Sequence, residues 1–293
     1  MKYLTVLLFL ATTIISCNDD SSDCVYAYVG GEIINPNSSF VILERSSGSI
    51  DSLYLDENNR FLKKLENLQP GLHKFYHGGE YQVAVIEPMD SLMVRLNTLD
   101  FDESLVFTGK GSKKNNYLIK LFLDIENEND KMHLTSDLEP KTFSETLNLE
   151  KERRLEYLDQ FSSKYYTSEL FNEIAKATID YNFYANKEMY LFRRGDYNIK
   201  ENNELPSDFY SYRSDIDYNN SVLKGFYPYR AFLISHFNNL ALDGYFKKTN
   251  NTSFNRSSLA FNMERIRLVD SLVQNDSIKN PLLKYTTREF ITY

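Results

Sequence analysis

Tryptophan is absent from the 293 residues, and cysteine occurs only at positions 17 and 24. Neither cysteine belongs to a CxxC, so the sulfurs of this chain cannot make a dithiol redox site. Histidine is scarce, at four residues, and no GxSxG or HExxH occurs. The commonest serine-hydrolase and zinc-protease signatures are therefore missing. Clustered positive charge is lacking as well, because 33 Lys and Arg are interspersed among 41 Asp and Glu for a net charge of −8. Attraction to a phosphate backbone needs grouped cations, so no nucleic acid is expected as a partner. Beyond the first residues, no apolar run is long enough to cross a bilayer.

What is present begins at the N-terminus. Met1 and Lys2 precede an apolar stretch from Leu4 to Ile15 that closes on the small residue Ser16. A positive start, a short apolar core and a small residue before a cut describe a secretory signal, so residues 1–16 are expected to be removed. Ile14-Ile15-Ser16-Cys17 is similar to the bacterial lipobox, and the resemblance implies that Cys17 is lipidated and anchors the chain to a membrane. The alternative is an ordinary signal peptide beside an unrelated cysteine. Residues 17–23 contain Asp19, Asp20 and Asp23 among serines and read as an acidic tether with nothing to bury. They resemble the acidic signals that send some Bacteroidetes lipoproteins to the cell surface. With Cys17 acylated, Cys24 has no partner in the chain and reads as a small buried hydrophobe. Removing the first 16 of 293 residues leaves 277, enough for two domains.

Two periods divide the remainder. From Cys24 to Gly111 the chain reads as short strands: 25–34, 40–45, 50–55, 61–65, 72–77, 81–86, 91–96 and 105–108. Between them lie turn residues such as Asn35-Pro36-Asn37, Pro70-Gly71 and Gly78-Gly79. Leu92, Val94 and Leu96 alternate with Met93, Arg95 and Asn97, the period of a strand with one buried face. The expected class is α+β, with an antiparallel β-sandwich over 24–111 and an α-helical domain over 112–293. In the second half, Thr142 with Glu145 has the spacing of a capping box, and Pro228 suits a first helical turn. Stripes such as Phe232, His236 and Leu240 recur at helical spacing. Residues 198–220 are polar, tyrosine-rich and aperiodic, which predicts a long connection with a short helix near Asp208. The last segment, Pro281 to Tyr293, is expected to be helical.

Leu68 to His73 (LQPGLH), Glu87 to Leu92 (EPMDSL), Asn97 to Gly111 (NTLDFDESLVFTGKG) and Asn115 to Leu118 (NNYL) resemble the N-terminal region of Bacteroidetes thioredoxin-like lipoproteins of the thiol:disulfide interchange group. The likeness covers about the first third of the chain. It implies a β-sandwich ahead of a connecting helical region. Such proteins carry a thioredoxin-like domain with a CxxC after the helices, and this sequence has none, so their redox chemistry does not transfer.

Candidate sites each have a plainer reading. Gly109-Lys110-Gly111-Ser112-Lys113-Lys114 invites comparison with a phosphate loop but lacks its spacing, and the glycines suit positive φ at a strand-to-helix joint. His73 and His77 share one face of a strand with Phe75, and only Glu80 offers a further metal ligand. No metal or cofactor is expected. His236 reads as a hydrogen-bonded core histidine, and His133 has no evident partner. Glu150 to Arg154 reads as a favourable i,i+4 pair on a solvated helix face. The cluster Tyr165, Tyr166, Phe171, Tyr181, Phe183, Tyr184, Tyr190 and Phe192 is core by its spacing, with an exposed stacking surface as the alternative. Tyr197, Tyr210, Tyr212 and Tyr218 lie in the aperiodic connection and form the candidate ligand surface.

These readings predict a non-catalytic lipoprotein of the cell envelope that acts as a scaffold or binding module. Its anchor would lie in the outer membrane, at the periplasmic face or the cell surface, and its partner would be a thioredoxin-like domain or another envelope protein. The alternatives are a truncated or split thiol:disulfide oxidoreductase and a surface glycan- or peptide-binding lipoprotein.

Overall fold

The computed structural model describes residues 25–129, 137–194, 205–249 and 254–292. Cys17, Cys24, His133 and Tyr197, and with them the signal, the lipidation site and the tether, lie outside the described residues.

The protein is mixed α+β. Eight strands come first: β1 (Ala27–Ile34), β2 (Phe40–Glu44), β3 (Ile50–Tyr54), β4 (Arg60–Leu65), β5 (Gly71–His77), β6 (Glu80–Ile86), β7 (Ser91–Asn97) and β8 (Val106–Lys110). They form two four-stranded sheets, ordered β4-β1-β7-β8 and β3-β2-β5-β6. The expectation of antiparallel pairing throughout is corrected at one place. β1 runs parallel to β7, with Tyr28 opposite Ser91 and Ile34 opposite Asn97. Such a pair cannot be closed by a hairpin, and the chain between the two strands makes the whole second sheet before returning.

The alternation of side chains decides what each sheet buries. Ala27, Val29, Leu92, Val94, Phe107 and Phe61 of the first sheet join Val41, Leu43, Leu53, Phe75, Ala84 and Ile86 of the second in one core cluster. Full burial of a side chain such as Leu43 or Ile86 contributes about 1.5–3 kcal/mol relative to exposure. The second sheet also has a covered outer face, where Leu72, Val83 and Val85 pack against the helices. On the first sheet, Leu62 and Val106 stay exposed.

Among the described residues there are six α-helices: α1 (Ser112–Asn129), α2 (Pro140–Tyr165), α3 (Glu169–Arg194), α4 (Tyr227–Thr249), α5 (Leu259–Leu272) and α6 (Asp276–Thr292). A 3₁₀ turn spans Ser211–Asp215 in the long connection. No described helix is long and apolar enough to cross a membrane.

Strand passes to helix at Gly111, whose φ of +92° suits glycine. A Cβ there would lie 2.7 Å from the Asp90 carboxylate. The following residues fasten α1 to both sheets. Asn115 accepts the Val85 N–H at 2.7 Å and donates to the Val85 carbonyl at 2.9 Å. Asn116 does the same with Phe107, at 2.8 Å in both directions. Lys114 is held by Glu87 and Asp90 at 2.6 and 2.7 Å, so the glycine-lysine segment keeps that ammonium for an internal pair.

Three local expectations are corrected. α2 begins with Pro140, after Glu139 as an N-cap that makes no side-chain bond, so Thr142 and Glu145 fall inside the helix instead of capping it. α6 begins at Asp276 and carries Pro281 in its interior. Asn275 sets that start, because its side chain accepts the Ser277 N–H and its carbonyl accepts from Ile278 and Lys279. Arg154 is buried and pairs with Asp124 and Glu128 of α1, while Glu150 pairs with Arg153. A charge run expected on a solvated face thus ties α2 to α1.

Candidate functional site

Two polar assemblies merit comparison, and the first is buried. On α3, Tyr181, Tyr184, Glu188 and Leu191 share one stripe, which places a carboxylate among apolar side chains. Glu188 is fully buried, and a buried charge persists only when its acceptor positions are filled. They are filled from two elements, the 3₁₀ turn and α4. The first oxygen accepts from His236 Nδ1 at 2.7 Å, the Tyr212 hydroxyl at 2.9 Å and Arg213 Nε at 2.9 Å. The second accepts from Asn239 at 2.7 Å and from the Arg213 guanidinium. Burial alone would push the carboxyl up, but the His236 hydrogen bond and the Arg213 charge outweigh it and hold Glu188 at about 2.

The tyrosines of the connection gather around this carboxylate. Tyr212 is buried, and burial with the adjacent Glu188 charge raises its phenol far above the ordinary value. The Tyr210 ring lies 3.7 Å from the Arg213 guanidinium carbon, and its hydroxyl accepts from Asn239 at 3.2 Å. Tyr218 stacks on His236, its hydroxyl 2.9 Å from Nε2. Three of the four tyrosines grouped in the sequence are therefore brought together, facing a buried acid rather than an open face. His236 is a hydrogen-bonded core histidine. Glu188, Arg213 and Asn239 escaped sequence reasoning. The legible signal was an acid on the apolar stripe of α3.

The other aromatic residues are largely internal. Phe171, Phe183 and Tyr190 are buried, and Tyr166 stands out at 92% exposure where α2 ends in a left-handed residue. His73 and His77 are both buried. His77 Nε2 accepts the Asn37 N–H at 3.0 Å, and Nδ1 meets the Phe40 carbonyl at 3.1 Å. His73 Nδ1 meets the Gly71 carbonyl at 3.1 Å, while Nε2 is buried without a partner. Burial pushes His73 down to about 4. No cluster of metal-ligating side chains occurs among the described residues.

The second assembly is open. A cleft of about 650 Å³ lies between the outer face of the second sheet and the helices, within the size range of small-molecule sites. Lys74 and Tyr76 of β5 and Tyr81 of β6 form its sheet side because they alternate with the inward-facing His73, Phe75 and Gln82. Lys224, Arg230 and Phe226 face them from the end of the connection and from α4, and Ile278 and Leu282 come from α6. Glu44 accepts from Tyr76 at 2.7 Å and Lys74 at 3.1 Å. Burial would raise this carboxyl, but those two donors and the Lys224 charge keep it below its ordinary value. Arg45 is matched by Asp51 at 2.6 Å. Lys224 and Arg230 have no ion-pair partner among the described residues. Among the described residues, four basic side chains against one acid line this cleft in a chain of net charge −8. The local excess of positive charge is the reverse of the whole. No protein-family model, curated protein or solved structure matches this chain.

Proposed function

We propose that the chain is a non-catalytic binding module of the cell envelope. In this reading the two sheets stack as a sandwich domain over residues 24–111, the helical domain spans 112–293, and the seam between them takes a small ligand. Lipidated Cys17 anchors the module to the outer membrane through the acidic tether. The observation that carries the binding role is the cleft, where an apolar floor and charged side chains remain open while the donors around Glu188 are committed to one another.

The test uses the uncharged dye Nile red with the chain beginning at residue 17. One-to-one binding is expected, lost when the rim residues Ser221 and Ser277 are both replaced by Trp. Absence of binding, or binding indifferent to the plugged rim, removes the cleft from the proposal. The anchor is tested separately. Labelled palmitate should enter the wild-type protein and not Cys17→Ala, and equal labelling would remove the lipid.

A further inference from the structure

We propose that the cleft selects an amphiphilic organic acid, a single carboxylate or phosphate head on an apolar body; this rests on the cleft being a binding site. Phe226, Leu233, Ile278 and Leu282 supply an apolar floor, each drawn from a helix or from the turn before one. Burying apolar ligand surface there is favourable by about 25 cal/mol per Å².

The mouth is different. Lys74 Nζ lies beside Gly225, where an added Cβ would stand 3.1 Å from it, and the charges of Lys224 and Arg230 act on Glu44 and on Tyr76 and Tyr81, respectively. Sheet and helix cations thus converge on one region. Glu44 pairs with Lys74, and neither Lys224 nor Arg230 forms an ion pair among the described residues. Both side chains line the same cleft, and an anionic head placed at its mouth gains from each charge. Gly225, with φ +70°, keeps the chain free of a side chain beside Lys74 and leaves room for the head group. A cationic head would be repelled by those same charges. The chain's overall negative charge disfavours anions elsewhere on its surface, so the discrimination is local.

The experiment exploits the absence of tryptophan. Ser47→Trp, on the side of the rim away from the plug positions, places the sole indole of the chain where its emission reports occupancy. Decanoate and decyl phosphate, as the carboxylate and phosphate arms, are titrated against decanol and decyltrimethylammonium, and calorimetry on the unlabelled chain gives affinities. Both acids are expected to shift the emission and to bind about tenfold more tightly than decanol, with the margin shrinking in high salt. The tighter arm identifies the head group. Lys224→Gln with Arg230→Gln should erase the preference, and an unchanged midpoint in urea unfolding shows that the variant is folded. Equal affinity for acid and alcohol, preference for the ammonium, or an acid preference that survives the double variant overturns the inference. If Nile red occupies the cleft and no decyl probe does, the ligand class falls and the binding site stands. If Nile red also fails, the site itself falls.

Discussion

Glu188 and Glu44 are the same device in two settings. Each carboxylate accepts from a tyrosine hydroxyl, Tyr212 or Tyr76, and from a cation, Arg213 or Lys74. Glu188 has no solvent, so His236 and Asn239 complete its shell. Glu44 keeps a side-chain exposure of 33%, and water finishes what protein leaves undone. The difference teaches where function can reside. A buried acid must be fully answered by the fold and has nothing to offer a ligand, whereas a half-buried one tolerates neighbours such as Lys224 and Arg230 whose charge is still available.

The sharpest way to break the comparison is Glu188→Gln. It leaves Arg213 facing a neutral amide, and we expect a loss of about 3–5 kcal/mol in urea unfolding. A loss below about 1 kcal/mol would make the two glutamates equivalent. Because the native Glu188 carboxyl sits near 2 against an ordinary 4.5, its contribution is intact above 4.5 and disappears as pH falls toward 2.

His73 sharpens the contrast by showing burial without an answering partner. Its native value near 4 lies below the ordinary 6.5, so below 6.5 the unfolded chain takes up a proton that the native one refuses. Stability should therefore fall by about 3 kcal/mol as pH drops from 6.5 to 4. His73→Leu should flatten the portion between 6.5 and 4.5, where Glu188 is silent; an unchanged slope assigns it to another group.

Tyr212→Phe removes one of the bonds to Glu188 and is expected to cost about 2 kcal/mol in thermal or urea unfolding. The smallest effect belongs to the open partner. Glu44→Gln should change stability by less than about 1 kcal/mol, while tightening decanoate binding as the one lining carboxylate among the described residues loses its charge. A destabilisation matching that of Glu188→Gln would erase the distinction between the two settings.

Much of the first half was legible because a strand with one buried face writes its period directly into the sequence. Leu92, Val94 and Leu96 are buried as their alternation requires, and the eight expected strands fall within two residues of the observed ones. Helix ends were less legible, since Thr142 and Glu145 have the right spacing but Pro140 starts the helix first. Glu188 could have been read as an acid on an apolar stripe, but its partners come from two distant segments, Arg213 from the 3₁₀ turn and His236 and Asn239 from α4, that only the fold brings together. The cleft left no local signal at all. Tyr76 and Tyr81 look like ordinary solvent-side strand residues until Phe226 and Arg230 close over that face.

The two asparagines at the start of α1 have a consequence for how this protein behaves in a crowd. β6 and β8 are the outermost strands of their sheets on that flank, and unpaired outer backbone is a template on which foreign chains can add. By imitating a strand's peptide group at Val85 and Phe107, Asn115 and Asn116 occupy both templates at once. One helix thereby caps an outer peptide group on each of two edge strands, and its removal would leave both open to pairing.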